Sequence, residues 1–107
     1  MNELLEFFRK IKETPQLYIS EHPSYDEFLS FIGGYIRRLS ETDSHISYFM
    51  MGFAEFVRDY YHVKSTLRGE LTLIKLFTPM ENQAFYKFFE LMDKYVEYRA
   101  EHPLLSL

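Results

Sequence analysis

The chain of 107 residues has no cysteine and no tryptophan, and only four glycines and four prolines. Without cysteine there is no disulfide, no thiol nucleophile and no cysteine metal site, which suits a reducing compartment. So few glycines and prolines leave little material for a long disordered stretch. No apolar run approaches the ~20 residues that a membrane-spanning helix needs. The opening MNELLEFFRKIKE carries Glu3 and Glu6 and no apolar run of signal-peptide length. The expectation is a cytoplasmic protein that does not engage a membrane. An excess of basic charge is missing too. The net charge is −4, and a mildly acidic chain repels phosphate backbones, so nucleic acid is not an expected partner. The acidity is concentrated early, because residues 1–35 carry six acidic against three basic side chains.

Aromatic side chains are plentiful, with eleven Phe and nine Tyr, beside five Met. Each buried Phe contributes on the order of 2–3 kcal/mol of transfer free energy. A chain of this length fits one domain over residues 1–107 with a single core. The apolar residues recur at helical spacing. Leu4, Leu5, Phe7, Phe8 and Ile11 give a first helix, stopped at Thr14-Pro15. Gln16–Ser20 reads as an extended connector. Ser24-Tyr25-Asp26-Glu27 is a capping box, with serine three residues before glutamate. It opens a second helix that runs to about Ser40. Thr42, Asp43 and Ser44 offer caps for a third, whose apolar stripe is Ile46, Phe49, Met50, Phe53, Phe56, Val57 and Tyr60. Its polar face carries Glu55, Asp59 and His62. Residues 64–66 read as a loop, and Leu71, Ile74, Leu76 and Phe77 as one short helix. Thr78-Pro79-Met80-Glu81 resembles a capped helix start. The last helix then has so wide an apolar face that it should sit centrally, ending at Pro103. The fold class is therefore all-α, a single-domain bundle of about five helices, four long and one short.

Chemistry is harder to find. Gly33-Gly34 falls inside the second helix and not in a strand-to-helix loop, which rules out a phosphate cradle and suggests that another helix crosses there. The chain has no Glu-x-x-His; Asp59-Tyr60-Tyr61-His62 offers one carboxylate and one imidazole, short of a metal set. No cofactor is expected and no catalytic set emerges. Arg58 and His62 are similar to the Arg…His pair of the helical ribonucleases called HEPN domains, although three residues separate them here against four to six in that family. The acids Glu21, Asp26 and Glu27 near the start of the second helix, and Glu41 and Asp43 in the next connection, are candidates for contact with a basic partner. Their ordinary roles are capping and solvation. Tyr48 and Met51 beside Glu55 form a candidate contact patch, since Tyr and Met are enriched at interfaces.

Two stretches together resemble a known family. They are Pro15-Gln16-Leu17-Tyr18-Ile19-Ser20 with Leu29-Ser30-Phe31-Ile32-Gly33-Gly34-Tyr35, and Phe56-Val57-Arg58-Asp59-Tyr60-Tyr61 with Asn82 to Met92. This pattern is similar to small bacterial immunity proteins encoded beside secreted polymorphic toxins, including contact-dependent inhibition systems. It spans roughly residues 3–96. Ser20 stands where that family favours Gly, and Leu17 where Met is common. The resemblance implies a protein that neutralises a cognate toxin by direct contact, with a basic nuclease as the toxin an acidic inhibitor would suit. The alternatives are a HEPN-like ribonuclease and a self-associating scaffold module using Leu104–Leu107; monomer and dimer stay open.

Overall fold

The computed structural model describes residues 2–21, 24–63, 70–78 and 80–103; the side chains of 2, 70–72, 81 and 82 lie outside that description. The expected loop at 64–66 and the apolar tail at Leu104–Leu107 fall outside it as well. Among the described residues there are five α-helices: α1 (Asn2–Glu13), α2 (Tyr25–Thr42), α3 (Ser44–Tyr60), α4 (Glu70–Phe77) and α5 (Glu81–Glu101). Among the described residues there is no strand.

Local chemistry accounts for most of the boundaries. Pro15 closes α1, but the connector that follows is a 3₁₀ turn over Pro15–Leu17 and not an extended segment. The Leu17 and Tyr18 amides donate back to Thr14 and Pro15 carbonyls, and proline fits the first position of such a turn. The capping box of α2 is formed in full. The Glu27 amide donates to Ser24 Oγ at 3.1 Å and the Ser24 amide to Glu27 Oε1 at 3.2 Å. Asp43 serves two helices, its amide donating to Leu39 O to finish α2 and its carboxylate accepting the His45 amide to start α3. Thr78 does not cap α5. Its amide donates to Ile74 O, so it completes α4, and α5 begins after Met80 without a side-chain cap.

The end of α3 also departs from expectation, because His62 is not on the helix. It adopts the left-handed conformation, φ 58°, one residue beyond the cap. Its amide donates to Asp59 O at 3.1 Å and the Val63 amide to Arg58 O at 2.9 Å, the paired bonds of a Schellman ending. Glycine usually fills that position, and a side chain there is strained. His62→Gly should therefore raise stability by about 0.5–1 kcal/mol in thermal denaturation; a decrease would contradict this reading of the turn.

Phe88 of α5 is the hub of the core. Its ring meets Phe8 of α1, Phe28 of α2 and Phe53 of α3 edge-on at centroid distances of 5.5, 4.9 and 5.4 Å. Phe28 also packs edge-on against Phe85 at 5.0 Å. Leu73 and Ile74 bring α4 onto the same cluster. As its wide apolar face implies, α5 contacts all four other helices. The radius of gyration, 13.6 Å, is near the ~13 Å of a compact chain of this length.

The two glycines of α2 overturn an expectation. No helix crosses at Gly33 or Gly34: both are exposed, and a Cβ added at either would meet nothing within 4 Å. They lie on the solvent side of α2, between Ser30 and the arginines Arg37 and Arg38. Gly33→Ala with Gly34→Ala should therefore stabilise the fold by about 1–2 kcal/mol in urea unfolding. Destabilisation would mean that something does approach this surface.

Candidate functional site

The close approach occurs at Gly52 instead. It is buried on α3, and a Cβ there would run into the Tyr95 hydroxyl and lie 2.8 Å from Arg99 Nη2. Because Gly52 has no side chain, the Tyr95 hydroxyl reaches across from α5 and donates to the Phe49 carbonyl at 2.6 Å. Arg99 Nε donates to the same hydroxyl at 3.1 Å, and Arg99 Nη1 to the His102 carbonyl at 3.0 Å. Burial pushes the Tyr95 phenol above its ordinary pKa, so it stays a proton donor. The Arg99 guanidinium lies 5.2 Å from the ring centroids of both Tyr95 and Tyr98. These contacts fix the spacing of α3 and α5.

Outside that seam the two helices frame a cleft of about 550 Å3 lined by Gly52, Glu55, Phe56, Asp59, Tyr60, Tyr98 and Arg99. Tyr60 is also a wall of a second cleft, of about 470 Å3, with Tyr61, Phe77, Tyr86, Lys87 and Glu90. Lys87 Nζ donates to the Tyr60 oxygen at 3.1 Å and to Glu90 at 2.5 Å. Those two partners, Glu90 first, hold the lysine above its usual pKa, while Lys87 lowers Glu90. Phe77 stacks on Tyr61 at 4.6 Å and stays 52 % exposed. Tyr86 is 56 % exposed, and Met51, on the solvent stripe of α3 between Tyr48 and Glu55, 65 %. Tyr48, Tyr60 and Tyr98 are exposed too. Tyr60, Tyr86 and Tyr98 thus line two clefts that meet at Tyr60, while Tyr48 and Met51 lie on the solvent stripe of α3, Met51 about half a turn around the helix from Tyr60.

The other candidates lie elsewhere. Glu21, Asp26 and Glu27 sit at the α1–α2 connection, Glu41 and Asp43 at the far end of α2; Glu27 and Glu41 are about 21 Å apart along the helix axis. Three of these acids have structural partners: Glu27 in the capping box, Asp43 at the start of α3, and Asp26 with Lys75 Nζ at 3.0 Å. The His45 amide that Asp43 accepts is also the main cause of its lowered pKa. Glu21 and Glu41 are exposed.

Arg58 is half-buried on the last turn of α3, whereas the reversal at His62 takes the imidazole off the helical register. The one-turn spacing that would set the two side by side on a helix is not kept. Among the described residues no charged side chain is fully buried, and no three His, Asp or Glu side chains are close enough to hold a metal ion. The displaced pKa values belong to surface ion pairs, a helix cap and buried phenols. Of these, the Lys87–Glu90 pair lines a cleft, and its shifts hold both groups in their charged forms.

No protein-family model, no curated protein and no solved structure matches the chain. Among the described residues no helix is long and apolar enough to cross a membrane.

Tyr60, Tyr86, Tyr98 and Phe77 are contact candidates that helical periodicity did not single out. Tyr60 falls in the apolar stripe of α3 and Phe77 among the apolar positions of α4, hence in the expected core, yet both are exposed, as is Tyr98. A tyrosine at the edge of a stripe keeps its hydroxyl wet while its ring covers apolar surface. Tyr98 at the margin of α5 does this.

Proposed function

We propose that this protein is an immunity protein: it binds a cognate bacterial toxin directly, in the cytoplasm, and acts by occlusion and not by catalysis. The observation that carries the reading is the exposure of Tyr60, Tyr86 and Tyr98 around two clefts that meet at Tyr60, with Tyr48 and Met51 exposed on the solvent stripe of α3. A chain that fills its core with phenylalanine and still presents tyrosine and methionine to solvent has the composition of a protein-contact surface. Tyrosine gives large contact area at small entropic cost, with two side-chain torsions to fix. The spine of Gly52, Tyr95 and Arg99 holds the two helices in register beneath, so the surface is preorganised. The similarity of the 15–35 and 56–92 segments to toxin immunity proteins supplies the class of partner, and the net charge of −4 suits a basic toxin such as a nuclease.

Co-expression with the toxin domain encoded by the neighbouring gene tests this. The expected result is restored growth and a one-to-one complex that survives gel filtration. Continued killing, with both proteins present and no complex, would end the proposal.

A further inference from the structure

A second surface lies away from the tyrosine clefts, where α1, the 3₁₀ turn and α2 meet. There the Phe7 ring stacks on Tyr35 at 3.6 Å and 13°, and lies 5.7 Å from Phe31 and 6.3 Å from Tyr18. Tyr18 and Phe31 approach each other at 6.4 Å. These two rings and Ile19 floor a shallow groove of about 630 Å3, rimmed by Asp26, Glu27 and Ser30. Leu17, beside it, is 74 % exposed, the largest exposure among the big apolar residues described.

Carboxylates rim this tray, Asp26 held by Lys75 and Glu27 not, and the cation on the same face of α2 is Arg38, close enough to the Tyr35 hydroxyl to oppose the rise in its pKa. Glu21 and Glu27 are exposed, and among the described residues neither pairs with a cation. Arg9 is engaged by Glu6 and Glu13, Lys12 by Asp93, and Lys75 by Asp26. Glu3 accepts from the Tyr35 hydroxyl at 3.4 Å. Aromatic rings open to solvent beside unneutralised carboxylates match one kind of side chain, a long aliphatic stem carrying a positive head.

We infer that this groove is a docking site for a basic polypeptide segment, seating an arginine or lysine with its stem on Leu17, Tyr18 and Ile19 and its charge toward Glu21 and Glu27. The guanidinium or ammonium would lie against the Tyr18 or Phe31 ring as a cation–π contact. This deepens the protein-binding reading by naming the chemistry of one partner segment.

The test titrates the full chain with acetyl-Gly-Arg-Lys-Arg-amide while amide resonances are followed by NMR, with acetyl-Gly-Glu-Asp-Glu-amide as control. The expected shifts centre on Tyr18, Ile19, Glu27 and Ser30, arise with the basic peptide only, and weaken severalfold as salt rises from about 50 to about 200 mM. Glu27→Gln keeps the capping box, since glutamine serves at that position. Combined with Glu21→Gln it should leave the melting temperature within a few degrees and lower peptide affinity at least about fivefold. Shifts centred on the tyrosine clefts, equal binding of the acidic peptide, no binding, or unchanged affinity of the folded double variant would each overturn the inference. A neighbouring toxin that binds the double variant as tightly as the wild type would also sink the groove while leaving the immunity reading intact. Peptide binding in the groove with no toxin complex would do the reverse.

Discussion

Replacing Phe88 by alanine is expected to lower the unfolding free energy by about 3–5 kcal/mol, the range for a fully buried phenylalanine. Its ring has no solvent exposure and touches rings from α1, α2 and α3, so no single helix can shift to fill the hole. A domain of this size has roughly 5–15 kcal/mol to lose, and the melting temperature should fall by about 15 °C or more. The contrast is Phe77→Ala. Half of that side chain is already in water, and only its stack on Tyr61 would be lost, so the change should stay within about 1 kcal/mol. If thermal melts of the two variants gave similar losses, the division between packed core and outer surface would be wrong.

The second large effect is at Gly52. Gly52→Ala should cost about 2–4 kcal/mol, although alanine is ordinarily the better helix former. The new methyl group meets the Tyr95 hydroxyl, which is held on the Phe49 carbonyl and buried, so the ring has no room to swing away. Either α3 and α5 separate or that hydrogen bond breaks in a dry environment, and both are expensive. A double-mutant cycle isolates the cause. Tyr95→Phe removes the clashing oxygen, so Gly52→Ala in that background should cost at least ~1 kcal/mol less than in the wild type. Strict additivity would show that the hydroxyl is not what the glycine accommodates.

The contrast between Gly52 and the Gly33-Gly34 pair shows where the sequence could be read and where it misled. Gly52 lies between Phe49 and Phe56 at spacings of three and four, on the apolar stripe of α3, where a close neighbour was to be expected. The paired glycines lie between Ser30 and Arg37 on a polar stripe that faces water, so no neighbour requires them. The helices themselves were legible, since α1, α2 and α3 begin or end on local chemistry: Pro15, the Ser24–Glu27 box, Asp43. The start of α5 lies later than Thr78 suggests, because Thr78 has two possible uses and the end of α4 takes its amide. The proposed contact surface is half legible. Tyr48, Met51 and Glu55 fall on one solvent stripe of α3 by spacing alone. Tyr60, Tyr86 and Tyr98 come together only through the lateral packing of α3, α4 and α5, which periodicity within one helix cannot report.

Calorimetric titration of the proposed cognate toxin domain into wild-type protein and into a Met51→Asp, Tyr60→Ala variant tests the proposed contact surface most directly. Both side chains are exposed, so the variant should fold normally. The expectation is tight binding by the wild type and at least a hundredfold weaker binding by the variant, about 2.7 kcal/mol, as for loss of interface anchors. Undiminished affinity in a folded variant would contradict the account.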